Sequence, residues 1–201
     1  MAVLLFAPLT CVPRPSRPSG PLVVGPQAHH AYRQHARHWR FPHRVQAQGT
    51  FVAHTRAWDE FSGKIRFSLT DTALAVILEG PLGLPLGHQV IPLIRGSPAL
   101  PETLPWGILW HWVRDPLRYP ADTLWHGAHG PEWALRTPAG SLHLLALDTR
   151  RLRLYISLRR EYRLMLDDFR PVHSFLWPFH VRYQGPEGAL EITWTRVKIP
   201  E

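Results

Sequence analysis

Four histidines crowd a short stretch near the N-terminus: His29, His30, His35 and His38. Imidazoles three residues apart, as in His35 and His38, share one face of a helix, and such a face can ligate a metal or titrate near neutral pH. No carboxylate or cysteine joins them, and the H-E-x-x-H order that arms a helical zinc site is missing. The cluster reads as a solvated helix face, positive below about pH 6.5, and neither a metal nor a cofactor is expected. Asp71-Thr72 and Asp148-Thr149 look like half of an aspartic-protease signature, but Ala73 and Arg150 stand where a glycine is needed. Both pairs suit hairpin turns. Asp167 and Asp168 are adjacent, so in a strand they point to opposite faces and cannot readily share a proton. With no G-x-S-x-G, P-loop or G-x-G-x-x-G present, no catalytic residue is assigned and the chain reads as a non-enzyme.

The composition points to binding instead. The 201 residues suffice for one domain with a sizeable core. Nine tryptophans favour a β-rich protein with a large apolar interior, or a surface that meets something partly greasy. A net charge of +8 draws anions, whether nucleic acid, anionic lipid or acidic protein. A single cysteine excludes an internal disulfide.

The elements that must position these residues are mostly strands. Ala28, Tyr32, His35 and Trp39 fall on one stripe of an amphipathic helix over Gln27 to Arg40, with Arg33, Arg37 and Arg40 on its wet face. A long strand follows, Arg44 to Arg56, with Val45, Ala47, Gly49, Phe51 and Ala53 on one face. Ile65, Phe67 and Leu69 alternate with Lys64, Arg66 and Ser68, and Leu74, Val76 and Leu78 repeat the period of two. A further strand is read over His88 to Ile94. In mid-chain, Leu104 to Val113 forms an apolar helix in which Trp106, Leu109, Trp110 and Val113 share a face, with Ile108 and Trp112 hardly more polar on the other side. A helix this apolar must be covered. Seven further strands at hairpin spacing run from Thr123 to Ile199. The expected fold is mainly β: one antiparallel sheet of about ten strands, a size that curls, with two helices.

Between the strand that ends at Leu78 and the one read over His88 to Ile94 lies Glu79-Gly80-Pro81-Leu82-Gly83-Leu84-Pro85-Leu86-Gly87. Gly and Pro make it a turn, yet it carries Leu82, Leu84 and Leu86. Leucines at a turn either fold back as a local plug or are meant for an apolar partner such as a bilayer. The N-terminus offers a related hint. An apolar run, Met1 to Thr10, is followed by Cys11 and a Pro/Ser/Arg tether, an order that looks like the end of a bacterial lipoprotein signal. In that reading Cys11 is the lipidation site; otherwise it is an incidental cysteine of a frayed terminus. The chain divides into 1–11 as signal and lipidation site, 12–26 as a Pro-rich linker and 27–201 as one domain.

Helix, long strand, paired strands, a Pro-Leu-Gly turn, a Trp-rich helix and an uninterrupted run of strands: this order resembles the bacterial LolA/LolB lipoprotein-localisation family, closest to its LolB side. The motifs that carry the resemblance are Ala47-Gln48-Gly49-Thr50-Phe51, Pro81-Leu82-Gly83, Leu109-Trp110-His111-Trp112, Pro178-Phe179-His180-Val181 and the closing strand Leu190 to Val197. The resemblance covers residues 27 to 199. It implies a half-barrel closed by helices over an apolar cavity for the acyl chains of lipoproteins or lipids, anchored on the periplasmic face of the outer membrane. Leu82 matches the exposed leucine that helps LolB-like members deliver cargo into the inner leaflet of that membrane, with Leu84 and Leu86 beside it and Trp106, Leu109, Trp110 and Val113 on the lid. A LolA-like periplasmic carrier is a candidate partner. Two other readings compete. A structural envelope lipoprotein or apolar-ligand module would transfer nothing. A nucleic-acid binder would use Arg150, Arg151, Arg153, Arg159, Arg160 and Arg163 with Tyr155 and Tyr162, but these arginines spread over both faces of two strands and nucleic acid is not expected.

Overall fold

A computed structural model describes residues 21–39, 41–55, 60–92, 105–127, 130–138, 140–148, 151–158 and 162–200. Cys11, and the tether up to residue 20, lie outside the described residues.

Among the described residues twelve strands join one antiparallel sheet, curved and not closed into a barrel. They are β1 (Leu22–Val24), β2 (Val45–Thr55), β3 (Phe61–Leu69), β4 (Ala73–Glu79), β5 (Pro85–Pro92), β6 (Ala121–Gly127), β7 (Gly130–Arg136), β8 (Gly140–Asp148), β9 (Arg151–Leu158), β10 (Tyr162–Val172), β11 (Phe175–Gly185) and β12 (Gly188–Lys198). Two helices, α1 (Pro26–Ala36) and α2 (Pro105–Arg114), complete the set. The sheet order is β1-β6-β7-β8-β9-β10-β11-β12-β2-β3-β4-β5. Two meanders, β6 to β12 and β2 to β5, are therefore sewn together where the last strand pairs with β2.

The period of two in β2 translates directly into burial: Val45, Ala47, Gly49, Phe51 and Ala53 face inward and the residues between them face out. Register carries the same face across the seam, with Ile192 beside Phe51 and Trp194 beside Gly49, and across the hairpin, with Phe67 beside Ala47 and Ile65 beside Gly49. The core lies between this face and the helices. Leu154, Ile156, Leu164 and Leu166 extend it under α2.

Three local readings are corrected here. Leu22–Val24, counted with the linker, pairs with β6 through Leu22 beside Trp125, and α1 begins at Pro26. A three-residue strand flanked by prolines carries no readable period; long-range pairing alone creates it. In α1 the inward stripe is Ala28, Tyr32 and Ala36, with Trp39 buried just beyond the helix end. His35 is exposed, because four-residue steps from Tyr32 reach Ala36. Third, β5 starts at Pro85, so Leu86 belongs to a strand and not to the turn.

Candidate functional site

The central packing is aromatic. Tyr32 and Trp39 from the first helical segment, Phe41 after it, Trp112 from α2, and Trp133 and Phe169 from the sheet form a connected set. Ring centroids lie 5.9 Å apart for Tyr32 and Trp133, 6.1 Å for Trp39 and Trp112, and 4.9 Å for Phe41 and Trp112. Offset and edge-on contacts of this kind add to burial. Trp112 donates its indole N–H to the Tyr32 hydroxyl at 2.9 Å, and that hydroxyl donates to the Pro116 carbonyl. Burial pushes the Tyr32 phenol well above its ordinary range, against the opposing hydrogen bond from Trp112, so the hydroxyl keeps its proton for this bond. α1, α2 and the chain that leaves α2 are thereby latched to one another.

α2 lies on this core by a face that its sequence disguises. Ile108 and Trp112 are fully buried, whereas Trp106, Leu109, Trp110 and Val113 are only partly covered. The all-round apolarity of LPWGILWHWV hides which stripe points down. The half-covered residues are not idle: Trp106 packs on Tyr183 at 5.7 Å, and Trp110 rests on a satellite cluster of Val45 and Leu69 under the Arg114 guanidinium, 4.3 Å above its ring. Beside them Phe67, Trp177 and Trp194 stack within 5.8 to 6.4 Å of each other. Phe67 and Trp177 remain partly exposed, as do Val76 and Leu78 of β4. An apolar wall therefore continues past the closed aromatic core along β2, β3 and β4.

The turn at the end of β4 sits at the edge of this wall. Its tip is pinned by the Gly80 N–H donating to the Leu84 carbonyl at 2.7 Å and by the Gly83 N–H donating to the Gly80 carbonyl at 3.2 Å. At the apex Leu82 is 99% exposed and Leu84 63% exposed, while Leu86 is less so at 42%. Leu82 holds φ 62° and ψ 16°, a left-handed conformation. For a residue with a Cβ this costs about 1 kcal/mol. Of the two readings of these leucines, a plug and an outward display, Leu82 and Leu84 take the second. Leu86 leans back, its side chain filling the space where Gly80 lacks a Cβ.

The outer face of the sheet carries a polar network that sequence reading missed. Asp167 stands opposite His180 in the β10–β11 register, and Arg182 stands opposite Glu191 across β11–β12. His180 donates from Nδ1 to Asp167 and from Nε2 to Glu191, both at 2.8 Å, which requires the imidazolium; Arg182 adds a bond to Asp167 at 3.1 Å. Asp168, next in sequence, is exposed with φ 52° and pairs with Arg170. The hydrogen bond to Asp167 raises the His180 pKa above its ordinary 6.5 despite burial, and Glu191 reinforces it. For Asp167, burial works against ionisation, but His180 and Arg182 outweigh it and hold the carboxyl below its ordinary 3.8. The signs give a window. The His180 contribution is complete below pH 6.5 and is lost as pH rises through its higher folded value; the Asp167 contribution is complete above pH 3.8 and is lost as pH falls through its lower one. Stability from this network is therefore full between those limits and declines on the alkaline side. Urea denaturation at pH 5.5 and 8.5 checks this: the His180→Gln variant should lose most of the difference between the two.

The helix histidines do not converge. His29 Nδ1 accepts the Ala121 N–H at 3.3 Å, His30 lies 3.0 Å from the Gln34 amide, and His35 bonds the Ala31 carbonyl.

No family model matches the chain, and no curated protein matches it. Similar solved structures exist. One is a LolA superfamily protein from Nitrosomonas europaea, 10% identical, covering 87% of this chain and 94% of that one with a TM-score of 0.46. Another is an outer membrane lipoprotein-sorting protein domain from Vibrio parahaemolyticus, 6% identical, covering 86% and 92% with a TM-score of 0.49. A DUF1329 family protein from Desulfovibrio piger is 10% identical, covering 86% and 93% with a TM-score of 0.48. Among the described residues no helix is long and apolar enough to cross a membrane.

Proposed function

We propose that this chain is a periplasmic lipoprotein, tethered to the outer membrane through Cys11, that takes up acyl chains of lipoproteins or lipids and passes them into the inner leaflet. The observation that carries this reading is Leu82: a fully exposed leucine held at a turn apex in a backbone conformation its side chain disfavours. A surface selected only for solubility would place Gly or Asn there. Burying that side chain in hydrocarbon returns about 1.5–3 kcal/mol, and Leu84 adds to it. Acyl chains would lie along the half-covered wall of Phe67, Val76, Leu78 and Trp177, where each methylene is worth about 0.8 kcal/mol and no fixed polar contact is needed. The net charge of +8 favours approach to anionic head groups, at about 1 kcal/mol per well-placed Lys or Arg.

The test is transfer of a fluorescent diacylated peptide from the protein to phosphatidylethanolamine/phosphatidylglycerol vesicles. Leu82→Glu should leave peptide binding unchanged and slow transfer by about tenfold or more. Wild-type protein that binds no acylated peptide, or a Leu82→Glu variant that transfers at the wild-type rate, overturns the reading. A second reading, an apolar-ligand module or structural envelope lipoprotein that transfers nothing, is favoured by the tight aromatic packing of Tyr32, Trp39, Trp112 and Trp133. Under it, wild type and variant alike retain their peptide in the presence of vesicles.

A further inference from the structure

The sheet is open, and its two edges differ. β1 is three residues long, but β5 offers eight, and seven of them are exposed. Among the described residues no strand pairs with the backbone N–H and C=O groups along that outer edge, the arrangement that templates addition of another strand. Natural edges are defended by Lys, inward charges, bulges or proline. Here the defence is confined to the ends: Pro85 and Pro92 bracket the strand, and a bulge falls at its start, where Leu78 pairs with Gly87 but Glu79 pairs with Pro85. From Gly87 to Ile91 the pairing with β4 is regular. β4 behind it is Ala-Leu-Ala-Val-Ile-Leu-Glu, partly covered at every position, with Leu74, Val76 and Leu78 packed toward the core.

We infer that β5 pairs with β5 of a second copy, antiparallel and about a two-fold axis at His88, to form a homodimer with one continuous sheet. The occupant must be an extended strand, since only a strand satisfies a row of backbone groups. Charge favours a like partner. The chain carries +8, yet no residue from Gly80 to Pro92 has a formal charge, so two copies meet here without setting like charges against each other. Self-pairing is also the closed, isologous solution. The register follows from side chains: a two-fold at His88 sets Leu86, 42% exposed, opposite the partner's Val90, 53% exposed, and leaves both prolines at the ends of the ladder. An interface of one strand pair is small, so dimers form at micromolar and not nanomolar concentration. The inference does not depend on acyl transfer, which uses the neighbouring turn.

Cysteine cross-linking tests it on the 201-residue chain with Cys11→Ser as background. In a directly opposed antiparallel pair the Cα atoms are about 4.5–5.5 Å apart, within disulfide reach. His88→Cys should give a disulfide-linked dimer on mild oxidation. Gln89→Cys, displaced from the axis and on the other face, should not. Light scattering of the uncross-linked protein should show mass doubling as concentration rises, abolished by Val90→Lys with an unchanged melting curve. A chain that stays monomeric at hundreds of micromolar, or a dimer insensitive to Val90→Lys, overturns the inference. Equal cross-linking at 88 and 89 overturns the register.

Discussion

Trp112→Ala is expected to destabilise the protein by about 3–5 kcal/mol, the range for removing a fully buried large aromatic. Trp112 is 0% exposed, touches Phe41 and Trp39, and supplies the hydrogen bond that orients the Tyr32 hydroxyl. Its neighbours come from separate elements fixed by their own packing, so they cannot collapse to fill the void. Trp112→Phe should cost less, since it keeps most of the ring volume and forfeits the N–H. The difference between the two variants in urea denaturation separates cavity from latch. A loss below about 1 kcal/mol for Trp112→Ala would mean that α2 is not anchored through this side chain.

Gly49→Ala should also be strongly damaging, and for the opposite reason. A Cβ at Gly49 would stand 2.2 Å from the Thr193 carbonyl oxygen and 2.9 Å from the Trp194 Cα. Both obstacles are backbone, so no side chain can swing aside. The methyl forces β2 away from β12 at the one seam joining the two meanders, next to the bulge between Trp194 and Arg196. Overpacking usually costs about 1–3 kcal/mol, and a backbone clash at a seam belongs at or above the top of that range. Far-ultraviolet circular dichroism and a urea midpoint measure it; a wild-type midpoint would mean that the strands separate there at little cost.

Much of this was readable in the chain. The alternation in β2, β3 and β4 gives their buried face residue by residue, because one side of each strand meets the core and the other meets water. Hairpin turns mark most of the later strands for the same reason. What escaped reading depends on partners distant in sequence. Leu22–Val24 becomes a strand only because β6 lies beside it. Nothing in LPWGILWHWV distinguishes Ile108 and Trp112 from their apolar neighbours until the sheet beneath supplies a direction. The bond of Asp167 to His180 needs the β10–β11 register, which begins at a two-residue turn and runs unbroken past the left-handed Asp168. The leucine turn was read as longer than it is, since Leu86 looks like its neighbours but enters the ladder of β5.

The sewing of the last strand onto β2 sets when the molecule can fold. β2, β3, β4 and β5 can zip into hairpins as soon as they exist, but Gly49 pairs with Trp194, near the end of the chain. Until β12 arrives, the inner face of the first meander has no floor and β2 offers a second open edge beside that of β5. Closure over so long a loop is entropically slow, so a nascent chain spends its vulnerable interval with apolar strands in view. Removing the chain from Gly188 onward would consequently take away the seam, not a terminus, and leave two meanders that no longer share one sheet.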